Sequence, residues 1–311
     1  MNQAANQAAN QAANKVKARG NLRSVYAMLL AVAMFSLMDT AMKLLSEHYP
    51  AMQVAALRAL SSLPLVLLYV GWRGAFGTMF KVRWSMHLMR GALGIAMLSL
   101  FAYGINKLTL AEAYSIFFIA PALITALSVV FLKERVDLAR WVAIAVGLVG
   151  VVVVLRPVGT GLLTLGGLAI LGAAACYAVS AISARILGRT DSSEQMILWL
   201  MLMMSVGAGV LAAPGWVAVR TTDILLLTGL AVSGFIGQLA ITEAFNKGEA
   251  SSIAPLEYTA LAWGVGLDWL LWAALPDRYT MLGAAIIIGS GIYLVRHEHG
   301  QAQAQVQIEH P

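Results

Sequence analysis

Charge is scarce in this chain. Asp, Glu, Lys and Arg make up 12% of its 311 residues, about half the share in an ordinary soluble domain. A soluble protein of this length needs a polar shell, and there is too little polar material here to build one. Cysteine is nearly absent. Cys176 is the single example, which excludes an intrachain disulfide, and its apolar neighbours mark it as a small buried side chain. Also missing are a His-Glu-x-x-His zinc pattern, a phosphate-cradling glycine loop and a nucleophile elbow. No cofactor and no metal site is therefore expected. His297 and His299 form a His-x-His, but with no third ligand they read as part of a solvated tail.

Apolar residues, by contrast, make up 60% of the chain. An outward face that is apolar suits lipid, so composition places the chain in a membrane. The net charge of +6 would raise the question of nucleic acid in a soluble protein. Here basic loops holding a topology are the simpler account, and no nucleic-acid partner is expected. Partners are expected to be lipid and a small molecule; oligomeric state is not legible.

Residues 1–23 are polar and contain the tandem repeat Asn-Gln-Ala-Ala, followed by Lys15, Lys17, Arg19 and Arg23. They are expected to form a disordered cytoplasmic tail. The apolar run that follows is too long for a signal-peptide core and is expected to be retained. Polar breaks then divide the chain into ten runs of membrane-crossing length: 24–46, 51–71, 84–105, 110–132, 139–155, 162–184, 194–213, 223–245, 250–275 and 278–295. With the amino terminus inside, fifteen of the 21 basic residues fall in cytoplasmic segments and four in outside loops, with Lys43 and Arg58 inside spans. This bias predicts an inner-membrane protein with both termini cytoplasmic, the tail 297–311 included.

The chain also repeats itself. An offset of 140 lays Asn106-Lys107 on Asn246-Lys247, Asp137 on Asp277 and Arg156 on Arg296 without a gap. Five helices per half give the second half the opposite sense in the membrane. The predicted fold is all-α, with ten transmembrane helices as two inverted five-helix repeats, 24–156 and 162–296. Such repeats serve alternating access around a midplane site.

Several steps then become familiar: Phe35-Ser-Leu-Met-Asp-Thr-Ala-Met-Lys43, Leu57-Arg58, His87-Leu-Met-Arg-Gly91, Ala111-Glu-Ala113 with Pro121, and Phe131-Leu-Lys-Glu134 leading into Gly147-Leu-Val-Gly150. The second half adds Ala254-Pro255, Glu257-Tyr258 and Leu275-Pro276-Asp277, then Gly283 through Gly291. Over residues 24–296 the chain resembles the EamA-type family of the drug/metabolite transporter superfamily. The resemblance implies a small-metabolite transporter, not an enzyme. The first half looks most like the riboflavin-transporter branch, and the second would also suit the S-adenosylmethionine branch. Riboflavin or a similar flat polar metabolite is the first expectation for cargo; S-adenosylmethionine, an amino acid or a drug is the alternative. A membrane scaffold or a membrane-embedded enzyme is the rival class. The family's glutamate at the end of the fourth helix is present as Glu134 but replaced by Ala274 in the second half, so Glu134 is expected to be structural.

Charges inside a span each cost about 2.5–3.5 kcal/mol at the helix centre, and those that persist face a cavity or a partner. Asp39 and Lys43, four residues apart, share one helix face. Two roles are open to them: lining a cavity, or neutralising each other so that the helix inserts. Arg58 offers donors for a carboxylate or phosphate, or partners Asp39. Glu257 and Tyr258 follow Pro255, at a place where interrupted helices line transporter sites, although a solvated surface position also fits. Asp268 shares the face of Glu257 and is the first expected proton carrier, Glu257 the second. Tyr103 and Trp263 complete the expected substrate-binding set as stacking surfaces. Phe117, Phe118 and Trp199 are further aromatics. Gly147, Gly150, Gly283, Gly289 and Gly291 are expected to let helices approach closely.

Overall fold

The computed structural model describes residues 2–105, 107–108, 110–156, 164–272 and 277–307. Side-chain surroundings are described between residues 22 and 300, except at 102, 105, 110–112, 268, 272, 298 and 299. Among the described residues every regular element is helical. In hydrocarbon each backbone amide must be satisfied within its own segment, which a helix does.

The first half contains α1 (Asn2–Leu45), α2 (Ala51–Trp72), α3 (Trp84–Ile105), α4 (Leu110–Phe117), α5 (Ala120–Leu127) and α6 (Leu138–Leu155). The second contains α7 (Leu165–Leu187), α8 (Ser193–Ala212), α9 (Ile224–Lys247), α10 (Ala250–Ile253), α11 (Thr259–Trp272) and α12 (Arg278–Gln307). Eight helical stretches among the described residues are long and apolar enough to cross a bilayer. The helix α3, at 22 residues, lies where a further span is expected.

Two expectations meet a difference here. The helix α1 is continuous from Asn2, through the segment expected to be disordered, and α12 continues past residue 297. Alanine and glutamine are good helix formers, so these polar stretches extend the helices they adjoin. The fourth run of each half is also broken rather than continuous. The helix α4 stops at Phe117 and α5 starts with Pro121 in its first turn. A π-helical turn, Ser128–Leu132, then ends at Lys133 in the left-handed region (φ 55°). In the second half a 3-10 turn, Ala254–Tyr258, carries Pro255 between α10 and α11. Proline lacks the N–H that would continue an α-helix, so each break falls beside one.

The starts of helices are capped where polar residues permit. Asp137 accepts from the Arg140 amide at 3.0 Å at the head of α6. Thr164 does the same for α7 at 3.1 Å, and Ser192 with Gln195 forms a capping box on α8. Asp277 accepts from the Thr280 amide at 2.8 Å and caps α12. Asp137 and Asp277, paired by the 140-residue offset, thus play one local part in both halves.

The packing follows the same exchange. The helix α1 lies along α9, and α3 along α7; α2 lies against α8, and α6 against α12; α1 meets α11, and α5 meets α7. Swapping the halves maps this set of contacts onto itself. The α6–α12 seam is close because it is made of glycine. A β-carbon on Gly150 would stand 3.1 Å from the Gly283 carbonyl oxygen, and one on Gly283 would stand 2.7 Å from that of Gly150. Both ends of this antiparallel pair are tied. Asp277 before α12 pairs with Arg156 after α6, and Asp137 before α6 pairs with His297 near the far end of α12 at 2.6 Å. Of the glycines expected to pack, Gly147 also does so, against the ring of Tyr258, whereas Gly289 has open space beside it.

Candidate functional site: a cavity between the two halves

The helices of the two halves diverge around a cavity of about 290 Å3, near the small end of the ~300–1,000 Å3 typical of small-molecule sites. The helices α1, α2, α3 and α4 form one side, and α7, α8 and α9 the other. Most of the wall is apolar. Met38, Met42, Met97, Met201 and Met204 supply thioethers, and Phe117 supplies an aromatic face. Methionine bends to the shape of what it touches, so such a wall accepts a flat or irregular body.

Three charged side chains face this space: Asp39 from α1, Arg58 from α2 and Arg90 from α3. Asp39 is exposed and borders the cavity, and Arg58 is its electrostatic partner. The Arg58 guanidinium lies 5.6 Å from the Phe35 ring centroid, within the range of a cation–π contact. Arg90 is 5% exposed, and its Nε and Nη1 are enclosed with no hydrogen-bond partner among the described residues. Tyr177, on α7, carries the polar surface to a deeper group. Its hydroxyl donates to Glu257 Oε1 at 2.9 Å. Glu257 sits on the 3-10 turn behind the wall and is linked to the cavity by Tyr177.

The expected site residues therefore divide. Asp39 and Arg58 come together in the cavity, and Glu257 is linked to it. Lys43 is exposed one turn further along α1 and does not border the cavity. Tyr103 and Trp263 are 45% and 49% exposed and also lie off its wall. Tyr258 is 1% exposed, packed with Val151, Ile287 and Phe118. Successive residues of a 3-10 turn point about 120° apart, so Tyr258 faces α6 and α12 when Glu257 faces Tyr177. The side chain of Asp268 lies outside the described residues. Sequence reasoning missed Arg90 and Tyr177. Arg90 is six residues into α3, where it reads as one more topology-setting arginine, and Tyr177 sits in an apolar run with nothing around it to mark it.

His87, in the His87–Gly91 step, has a structural role. Its Nε2 lies 2.9 Å from Asp191 Oδ2, and both side chains are enclosed. Asp191 also accepts from the Arg83 amide at 3.1 Å and the Thr190 hydroxyl at 2.7 Å. Beside the α7–α8 turn, these hydrogen bonds hold the Asp191 carboxyl below its ordinary value, outweighing the burial that would raise it. The head of α3 is fixed to that turn.

Polar contacts gather beyond one end of the cavity, some within the second half and some between the halves. Beyond Ala184 and Phe245 of the wall, Arg185 Nη1 donates to the Asn246 carbonyl. Asn246 Nδ2 donates to Ser193 Oγ at 3.1 Å. Glu134 reaches across from the first half. Its carboxylate accepts the Ala250 and Ser251 amides, each at 3.0 Å, and the Ser251 hydroxyl at 2.8 Å. Arg140 donates to Ser251 Oγ at 3.1 Å and pairs with Glu249 at 2.7 Å. Glu134 thus caps the fourth span of the other repeat, the geometry of a structural residue.

Helices of membrane-crossing length, two like halves and a charged cavity between them define a multi-pass membrane protein. The EamA-like transporter family model matches residues 22–156 and again 164–296, and the chain belongs to that family. A riboflavin transporter of Vibrio cholerae is 25% identical over 291 residues, covering 92% of this chain and 97% of its own. A pseudopaline exporter of Pseudomonas aeruginosa is 25% identical, covering 87% and 95%. An S-adenosylmethionine uptake transporter of Rickettsia felis is 26% identical, covering 87% and 91%. A crystal structure sharing 17% identity superposes with a TM-score of 0.78 over 90% of this chain and 99% of its own, which establishes the fold.

Proposed function

We propose that the protein is an inner-membrane carrier with ten transmembrane helices and cytoplasmic termini, moving a small metabolite by alternating access. The observation that carries this reading is the cavity whose walls come from both repeats and whose charges, Asp39 and Arg58, stand there in spite of their cost in a membrane. The polar contacts beyond one end fit a state in which the cavity is shut on that side. Riboflavin or another flat polar metabolite suits the thioether and aromatic wall, and the relative from Vibrio cholerae supports it. The pseudopaline and S-adenosylmethionine relatives keep other cargoes in play.

Asp39 and Arg58 are proposed to bind the solute, and Glu257 to carry a coupling proton, with Tyr177 as its contact to the cavity. Asp268, the first coupling candidate on sequence grounds, stands as the alternative carrier. The test is uptake or counterflow of riboflavin in liposomes, with and without an imposed pH gradient. Asp39→Asn and Arg58→Ala should lower transport while membrane expression stays near normal. Full-rate transport by both variants would refute the cavity assignment, and labelling of a carboxy-terminal tag from the periplasmic side would refute the topology.

A further inference from the structure

We infer that the Arg90 guanidinium is the docking point for an anionic group, a carboxylate or phosphate, on the solute that enters this cavity; the inference rests on the transport reading above. Arg90 borders the cavity, yet it is 5% exposed and two of its nitrogens are enclosed without a partner. A buried cation with unmet donors is among the most costly arrangements in a protein. Such a group is retained where something absent from the resting structure satisfies it.

Among the described residues no carboxylate pairs with Arg90. Asp191, beside the head of the same helix, is held by the His87 ring, the Arg83 amide and the Thr190 hydroxyl. Asp39 has Arg58 as its electrostatic partner. Among the described residues the cavity wall therefore carries two guanidinium groups against one carboxylate. An anionic cargo would balance that excess and give Arg90 a planar, two-oxygen acceptor, the match for which a guanidinium is shaped. The rest of the wall is methionine and aromatic, so within the flat polar class the cargo implied is an organic anion, an apolar or flat body bearing one acidic group, rather than riboflavin itself.

The test uses the purified full-length protein in detergent and two matched pairs of probes, FMN with riboflavin and benzoate with benzamide. In each pair the first member carries the anion and the second does not. Binding is read by thermal shift and by tryptophan fluorescence. The wild type should bind the anionic member about tenfold or more tightly than the neutral one, as expected for a hydrogen bond to a charged group. Arg90→Gln should abolish this preference with little change for the neutral member. Arg90→Lys, which keeps the charge and provides a folded control, should retain part of it. Equal binding within both pairs, no binding by either anionic probe, or an intact preference in Arg90→Gln would each overturn the inference. Should Arg90→Gln not fold, an undiminished preference in Arg90→Lys overturns it and a reduced one supports it. A protein that selects anions but moves nothing across liposomes sinks the transport reading instead. One that transports a neutral solute without preferring anions sinks only this one.

Discussion

Replacing Glu134 with glutamine probes the polar contacts beyond one end of the cavity. The carboxylate takes hydrogen bonds from two amides and a hydroxyl at the start of α10, all from the opposite repeat. Glutamine keeps one carbonyl oxygen, which can still serve the Ala250 amide. Its NH2 replaces the other oxygen and meets the Ser251 amide donor to donor. A hydrogen bond to a charged group contributes about 1.5–3 kcal/mol, and a carboxylate at a helix amino terminus adds about 0.3–1 kcal/mol. Glu134 is only half-buried, so water can replace part of this. The expected loss is about 2 kcal/mol. Unfolding of a large membrane protein is often irreversible, so inactivation half-lives in detergent at one temperature should be compared, with apparent Tm alongside. The expected result is a clearly shortened half-life with transport per folded molecule close to wild type. Ser251→Ala removes only the hydroxyl and should cost less, about 0.5–1.5 kcal/mol. An unchanged half-life would refute the clamp, and a fully stable Glu134→Gln protein with no transport would show that the carboxylate acts in turnover instead.

Gly150→Ala would place a β-carbon 2.6 Å from Ile287 Cγ1 and 3.1 Å from the Gly283 carbonyl; overpacking of about 1–3 kcal/mol should appear as a lowered Tm, and an unchanged Tm would mean the seam is looser than described. Tyr177→Phe removes the hydroxyl that donates to Glu257 and should cost about 1–2 kcal/mol of stability while shifting the pH profile of transport; an unaltered profile would separate Glu257 from the cavity. The Thr280 amide, with Arg156, holds Asp277 down to about 2 from 3.8. A depressed carboxyl contributes stability above its unfolded pKa that is lost as pH falls through the folded one. The Tm gap between wild type and Asp277→Asn should therefore be full above pH 3.8 and close towards pH 2. A gap that persists at the acid end would disprove that origin.

Much of the fold is legible in the sequence, because lipid leaves few choices. The run 139–155 becomes α6 (Leu138–Leu155), and 194–213 becomes α8 (Ser193–Ala212). The offset that pairs Asp137 with Asp277 finds its meaning in two helix caps. The breaks beside Pro121 and Pro255 were less legible, since apolar residues run through both and hydropathy does not register a change of helical pitch. In the site, Asp39 and Arg58 stand out because each is a charge in an apolar run. Tyr177 has no such contrast with its surroundings. Arg90 lies close enough to a loop to pass for part of it, and only the packing of α3 turns it inward. Tyr103 and Trp263 show the converse: an aromatic in a span suits lipid as well as it suits a ligand, and sequence does not separate the two faces.

The tied seam between α6 and α12 has a mechanical consequence. A door turns only if one edge stays put, and a glycine contact fastened at both ends makes a stiff edge. Its fasteners lie at opposite ends of the pair, so a tilt that strains one strains the other as well, and torque on the seam meets resistance in either direction. The parts left to swing are the fourth spans, with their proline breaks and the Glu134 and Arg140 contacts at the start of α10. Motion would then be greatest far from the seam, at α2 and α8, whose contact with each other mirrors that of α6 and α12 across the molecule. On this view a covalent link across α6 and α12 leaves transport running, and the same link across Glu134 and Ser251 stops it.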